Sequence, residues 1–182
     1  MHKKERNQKR NTHAMIRVDH AGESGAVQIY KGQLAVLGCS PLGDTLREML
    51  AHEEDHLRKF DDLIRQRRVR PTFFSPLWHV GAYAVGALTA FMGEKVALAC
   101  TVAVEEVIDE HYEEQKNALM QDNQDNQTAG ELLQTIVHCQ AEEVLHKNMA
   151  LSLGAEQAVG YRALTTVIKG VSKTAIWLSK RF

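Results

Sequence analysis

The chain has 182 residues, 44% of them hydrophobic and 25% charged, with a formal net charge of −1. That length fills one domain with a sizeable core and leaves too little for two, while the near-zero charge supplies no general field for gripping a polyanion, so nucleic acid is not an expected partner. Three widely separated cysteines, Cys39, Cys100 and Cys139, form no Cys-x-x-Cys pair, which argues against a disulfide framework and against a thiolate metal site.

Residues 1–13 are polar and rich in Lys and Arg, without the apolar centre of a secretory signal and too short and serine-poor for a convincing transit peptide. The expectation is a loose basic tail followed by a single domain over 14–182. Prolines occur only at 41, 71 and 76, and apolar residues recur at spacings of three and four over nearly all the rest, so the fold class is all-α.

The first predicted helix runs from about Ala14 to Leu37. Its inward stripe reads Ile16, His20, Glu23, Val27, Tyr30, Leu34 and Leu37, and Gly38 and Pro41 supply the stop. A second begins at Thr45, where Thr45-x-x-Glu48 has the form of a capping box, with the stripe Leu46, Leu50, Glu53, Leu57, Phe60, Ile64. Thr72 to Gly93 carries no formal charge, but Pro76, His79 and the many glycines and alanines make a core or interfacial helix the expectation rather than a membrane span. The next stripe is Leu98, Thr101, Glu105, Ile108, Tyr112, Leu119. After a polar linker from Gln121 to Gly130 comes Leu132, Ile136, Cys139, Glu143, His146, Ala150, Leu153. Beyond Glu156 there is no acid. There Leu164, Val167, Ile168, Val171, Ala175 and Leu178 share a face opposite Arg162, Lys169, Lys173 and Lys180. Such a helix suits an anionic bilayer, with Trp177 and Phe182 as anchors; it equally suits a bundle helix with a solvated basic face.

Four stripes are each interrupted by one glutamate, in the order Glu, Glu-x-x-His, Glu, Glu-x-x-His. Glu23, Glu53 and His56 therefore repeat as Glu105, Glu143 and His146. A buried carboxylate is costly without a positive partner, and these stripes hold no Lys or Arg, so metal ions are the natural counter-charge. The spacing of three sets each Glu beside its His on one helical face. One such glutamate alone would more often be a solvated helix residue; the four together match the ligand order of ferritin-like di-iron and di-manganese bundles. Oxygen-rich, bridgeable carboxylates favour iron over structural zinc and leave manganese open.

Neighbouring acids fit less well. Glu106 shares a face with Glu110 and Glu113 that turns charged, and Glu142 has no histidine three residues later. Asp19 and Asp109 are expected either to orient a ligating histidine or to lie on the surface. His52-Glu53-Glu54-Asp55-His56 also satisfies the zinc metalloprotease pattern, but that reading leaves Glu23, Glu105, Glu143 and His146 without a shared purpose, and places His52 better as an outer or surface residue.

Arg17-Val18-Asp19-His20-Ala21-Gly22-Glu23, Glu53-x-x-His56, Arg70-Pro71, Cys100-Thr101-Val102-Ala103-Val104-Glu105-Glu106, His111-Tyr112 and Glu143-x-x-His146 together resemble the demethoxyubiquinone hydroxylases of ubiquinone biosynthesis. The similarity extends from about residue 15 to the C-terminus. It implies a ferritin-like four-helix bundle with additional membrane-associating helices, hydroxylating a demethoxyubiquinol ring with O₂ at two iron ions held by the six residues above. It implies NADH as the electron source, and roles for His111 and Tyr112 in bringing electrons or substrate to the metal. Ser24 departs from the tyrosine that many relatives carry beside the ligand Glu23. No Gly-x-Gly-x-x-Gly run is present, so a nicotinamide nucleotide would bind without a Rossmann domain. Further implied partners are the polyprenyl quinone, a membrane surface, other ubiquinone-biosynthesis proteins or a lipid-presenting protein, and a second copy of the chain. The implied place is the cytoplasmic face of a bacterial membrane, favoured by the want of a transit peptide, or the matrix face of the mitochondrial inner membrane. A bacterioferritin- or rubrerythrin-like ferroxidase or peroxidase shares the ligand order, but needs neither the uncharged stretch nor the basic C-terminal helix. A purely structural bundle is the remaining reading.

Overall fold

In the computed structural model, residues 3–122 and 127–181 are described, and among them all regular structure is helical. The elements are α1 (Lys3–Leu37), α2 (Gly43–Arg67), α3 (Ser75–Phe91), α4 (Glu94–Asp122), α5 (Gln127–Ser152), a 3₁₀ turn at Ala155–Gln157, and α6 (Tyr161–Arg181). The pairs α1–α2 and α4–α5 form the four-helix bundle, and the segment carrying α3 is the long crossover between them, the connectivity of ferritin-like folds.

Three expectations are corrected. Residues 3–13, expected as a loose tail, extend α1: its Lys, Arg, Glu and Gln residues propagate a helix already nucleated downstream, and Thr12 is buried. Helix α2 starts at Gly43 rather than Thr45, and its cap residue Leu42 makes no side-chain capping bond, so the Thr45-x-x-Glu48 box is not formed. The chain turns instead through backbone bonds, Gly43 N–H donating to Ser40 O, with Arg47 reaching back to the Gly38 carbonyl. Finally, Lys169 and Lys173 of α6 do not form a free basic face. They pair with Glu106 and Glu110, the off-stripe acids of α4 that face α6. Val167, Val171 and Trp177 are the exposed apolar residues of that helix; Phe182 lies outside the described residues.

Helix α3 packs tightly along α1. A methyl group at Gly32 would run into the Tyr83 carbonyl, and one at Gly86 into that of Ile29, so the crossing depends on these two glycines. Gly93, at φ +118°, turns the chain from α3 into α4. No helix among the described residues is long and apolar enough to cross a membrane. Within the bundle, one apolar cluster gathers Ile16, Phe60, Tyr112 and Ile136 and another gathers Tyr30, Leu46, Leu98 and Ala150. Read along each helix, the four glutamates fall between these two clusters, in a polar layer capped at both ends by hydrophobic packing.

Candidate metal centre

All six stripe-derived candidates converge in that layer. Glu23 on α1, Glu53 and His56 on α2, Glu105 on α4, and Glu143 and His146 on α5 are each at most 3% exposed. They form two groups whose nearest nitrogen and oxygen atoms lie within 4.8 Å of one another: Glu23, Glu53, His56, Glu143, and Glu53, Glu105, Glu143, His146. Each group contains one lone glutamate and one histidine, and the glutamates of the two Glu-x-x-His motifs belong to both. The internal repeat thus builds two equivalent halves with Glu53 and Glu143 at their junction, an assignment that periodicity cannot make.

The chemistry of the layer fits metal ions. Both carboxylate oxygens of Glu53 and of Glu143, one oxygen each of Glu23 and Glu105, and the Nδ1 atoms of His56 and His146 are buried without a hydrogen bond. His56 Nδ1 lies 3.1 Å from Glu143 Oε1 and 3.4 Å from Glu23 Oε2, and His146 Nδ1 lies 3.0 Å from Glu53 Oε1. A desolvated carboxylate costs several kcal/mol, roughly, unless compensated, and no buried Lys or Arg lies among these residues. Without ions, protons take that place. Burial raises the carboxyls of Glu53, Glu105 and Glu143 above the usual range, and their mutual repulsion raises them further. Burial by itself would lower the two histidines, but it is overcome, by the carboxylates at His146, pushing it up to about 10, and by Cys139 together with the carboxylates at His56, pushing it strongly up.

Outside the layer, each inward group is held by a partner. The Nε2 atom of His56 hydrogen-bonds Glu142 Oε2 at 2.6 Å, and that of His146 pairs with His52 Nδ1 at 3.1 Å across stacked rings. The Glu142 carboxylate accepts from His56 Nε2–H, which leaves Nδ1 of that ring facing the centre, and His52 holds the His146 ring with its Nδ1 likewise inward. The phenol of Tyr30 donates to Glu105 Oε1 at 2.6 Å, and that of Tyr112 donates to Glu23 Oε1. The arrangement is crosswise: each tyrosine lies seven residues beyond one lone glutamate and donates to the other. Burial and the adjacent carboxylate raise both phenols well above their ordinary value.

Other candidates fall elsewhere. His111 does not reach the layer; its ring lies 2.6 Å from Gln115 Nε2 and 3.5 Å from Asp19 Oδ1. Asp19 and Asp109 do not orient His56 or His146, since Asp19 is bound by Gln115 and Asp109 by Gln140 and Lys147. His20 turns to Asp61 of α2. His52, the first histidine of the protease-like pattern, is exposed and belongs to neither group, so it cannot share an ion with His56 as that pattern requires. Sequence reasoning missed Tyr30 and Glu142. Tyr30 was visible only as a stripe residue, and Glu142 was set aside for want of a following histidine.

Beside the centre is an apolar cavity of about 400 Å³ between α1, α3, α4 and α6. Gly22, Gly25 and Ala26 of α1 and Val104 and Ile108 of α4 line it, with Val171 of α6 opposite. Gly22 and Val104 directly precede Glu23 and Glu105, so the cavity wall and two residues of the buried layer are carried by the same helical turns. Trp78 Nε1 of α3 donates to Ser179 Oγ of α6 at 3.1 Å, tying together the two helices that cover it.

Residues 10–179 match the family described as "Ubiquinone biosynthesis protein COQ7". The chain is 48% identical over 167 residues to a Rhodospirillum rubrum protein named 3-demethoxyubiquinol 3-hydroxylase, covering 91% of this chain and 76% of the relative. It is 47% identical to the Homo sapiens NADPH-dependent 3-demethoxyubiquinone 3-hydroxylase, mitochondrial, covering 92% and 76%. To the Saccharomyces cerevisiae 5-demethoxyubiquinone hydroxylase, mitochondrial, it is 38% identical over 178 residues, covering 92% and 76%.

Proposed function

The chain belongs to the COQ7 family of ubiquinone biosynthesis proteins, and from that premise we propose that it is a di-iron monooxygenase hydroxylating the ring of a demethoxyubiquinol. The observation that carries the reading is the adjacency of two carboxylate-histidine groups sharing Glu53 and Glu143 to an apolar cavity large enough for a quinone ring.

Two iron ions would be held by Glu23 and His56 in one half and by Glu105 and His146 in the other, with Glu53 and Glu143 common to both. Bound there, iron supplies the electrons and the O₂ chemistry that side chains cannot. The protein's own contribution is positional. Tyr30 and Tyr112 occupy one oxygen each of Glu105 and Glu23 and so leave the other turned inward. The cavity takes the ring out of water, and its glycine and alanine wall on α1 allows close approach to the turn that carries Glu23. His111, next to Tyr112 and bonded to the buried pair Gln115 and Asp19, is the residue we assign to electron delivery together with Tyr112. The reductant is a nicotinamide nucleotide; the name of the human relative favours NADPH over the NADH expected from the sequence.

The rim of the cavity supports action at a membrane surface. Leu77, Val167 and Val171 line it and are themselves exposed, and Val80, Leu88, Phe91 and Trp177 stand exposed on the same two helices. A polyprenyl tail can leave the cavity toward lipid at that rim without crossing water. The chain would thus be peripheral, on a bacterial cytoplasmic or a mitochondrial matrix face.

Incubating iron-loaded protein with a short-chain demethoxyubiquinone analogue, NADPH and ¹⁸O₂, followed by mass spectrometry, tests the reading. A labelled ring hydroxyl is expected. Iron oxidation with no label in the quinone would overturn it and move the protein to ferroxidase or peroxidase chemistry.

A further inference from the structure

The six ligand residues are sealed, so an ion can reach them only by passing through a wall of the bundle. On the α1–α4 side the wall is closed by two phenols already bonded to glutamates, and outside it lies an apolar cavity hostile to a hydrated dication. The opposite side is different. Between α2 and α5 the outer nitrogens of both inward histidines lead to polar side chains in contact with solvent.

We propose that this α2–α5 seam is the port by which a divalent first-row metal ion, Fe²⁺ in use, loads the centre, with His138 and Glu142 as its capture pair. The inference rests on the metal-centre reading above. The Glu142 side chain is 26% exposed and that of His138 is 51% exposed. His138 Nε2 lies 3.6 Å from Glu142 Oε2, the same oxygen that sits 2.6 Å from His56 Nε2. One carboxylate oxygen therefore stands between a surface imidazole and a ligating one, and His138 meets the His56 ring edge-on at 6.3 Å between centroids. Exposed His52 flanks the same seam beside His146. Imidazole and carboxylate together suit Fe²⁺, Co²⁺ and Zn²⁺, so an ion held by His138 and Glu142 passes inward by rotation of one side chain. Glu142 and His52 would be needed merely to orient the inward histidine rings; His138 would not, which makes it the discriminating residue.

The test is stopped-flow mixing of the metal-free full-length chain with limiting Co²⁺, following the growth of its visible absorption. His138→Ala should slow uptake roughly tenfold, the scale on which a local focusing group changes association rates, while final absorbance and stoichiometry stay those of the wild type. Glu142→Gln, which retains an acceptor for His56, should slow it as well. Wild-type rates in both variants would overturn the port and leave the centre standing. A changed final spectrum at an unchanged rate would do the same, assigning Glu142 to tautomer control only. Gly25→Leu, which narrows the opposite cavity, should load at the wild-type rate; slowing there in place of the seam variants would mean that ions come through the cavity. A wild-type chain that takes up no Co²⁺ would sink the metal centre itself, and the port with it.

Discussion

The two sides of the buried layer present opposite chemistry. Toward α1 and α4 the glutamates are held by phenols and backed by small and branched apolar residues around a cavity. Toward α2 and α5 the histidines are held by a carboxylate and an imidazole that reach solvent. A quinone ring and a hydrated cation cannot use one route well, since what favours one desolvates the other at a cost. On the proposed reading, a closed centre is served from two sides, with the outer partners of its inward groups setting which species each side admits.

The largest expected effect comes from a residue on neither side. Glu143 belongs to both groups, so Glu143→Ala should abolish binding of both ions and lower ring hydroxylation more than about a hundredfold, beyond the loss usual for outer-sphere changes. Metal analysis and the ¹⁸O assay read this together. Retention of one full equivalent of iron would show that the halves do not share Glu143.

Next in size is the cavity. A Cβ at Gly25 meets nothing within 4 Å, and Leu is a better helix former than Gly by up to about 1 kcal/mol, so Gly25→Leu fills space without unfolding α1. The Michaelis constant for a quinone analogue should rise about tenfold, equivalent to ~1.4 kcal/mol of lost binding. Iron content should not change. An unaltered Michaelis constant would remove the cavity from the substrate's path and erase the contrast between the two sides.

Acidity separates the metal-free and loaded states. In the metal-free protein Glu53, Glu105 and Glu143 are raised by burial above their ordinary 4.5, and the carboxylates, joined by Cys139 at His56 and working against burial, raise His56 and His146 above 6.5. Every one of these groups binds protons more tightly folded than unfolded. Their contribution is therefore fully present below the unfolded values and is lost as pH rises through the folded ones, to about 10 for His146. Thermal melts should show the metal-free chain weakening steadily as pH rises from 4.5, and the loaded chain weakening far less, because ions have replaced the protons. Parallel curves would mean that the layer is neutralised in some other way.

The fold and the convergence of the six stripe residues were legible because a helical stripe reports which residues face inward, and a carboxylate among leucines stands out. The outer partners were not. Tyr30 on a stripe looks like any core tyrosine, and its role depends on Glu105 of another helix, 75 positions away. Glu142 sits at the edge of its stripe, where meeting His56 is decided by how α2 and α5 are set side by side rather than by spacing within α5. Thr45 failed as a cap for the converse reason: a local signal was overridden by the turn through Ser40 and Gly43. Periodicity ranks faces, and the identity of the neighbour across a seam is tertiary information.

The smallest expected effect probes whether the two halves of the repeat remain equivalent. Tyr30→Phe removes one donor from buried Glu105, which costs the metal-free protein roughly 1–3 kcal/mol, and Tyr112→Phe does the same at Glu23. In the loaded protein the freed oxygen can turn to the ion, so the penalty should shrink and the visible spectrum of the Co²⁺ form should shift alike in both variants. Their catalytic effects should differ. Tyr112 stacks on Phe60 and adjoins His111, whereas Tyr30 stands edge-on to the ring of His146. Tyr112→Phe should therefore lower NADPH-driven turnover several-fold more than Tyr30→Phe. Equal turnover with equal spectral shifts would reduce both tyrosines to the positioning of carboxylates and would leave electron delivery to a route that avoids His111.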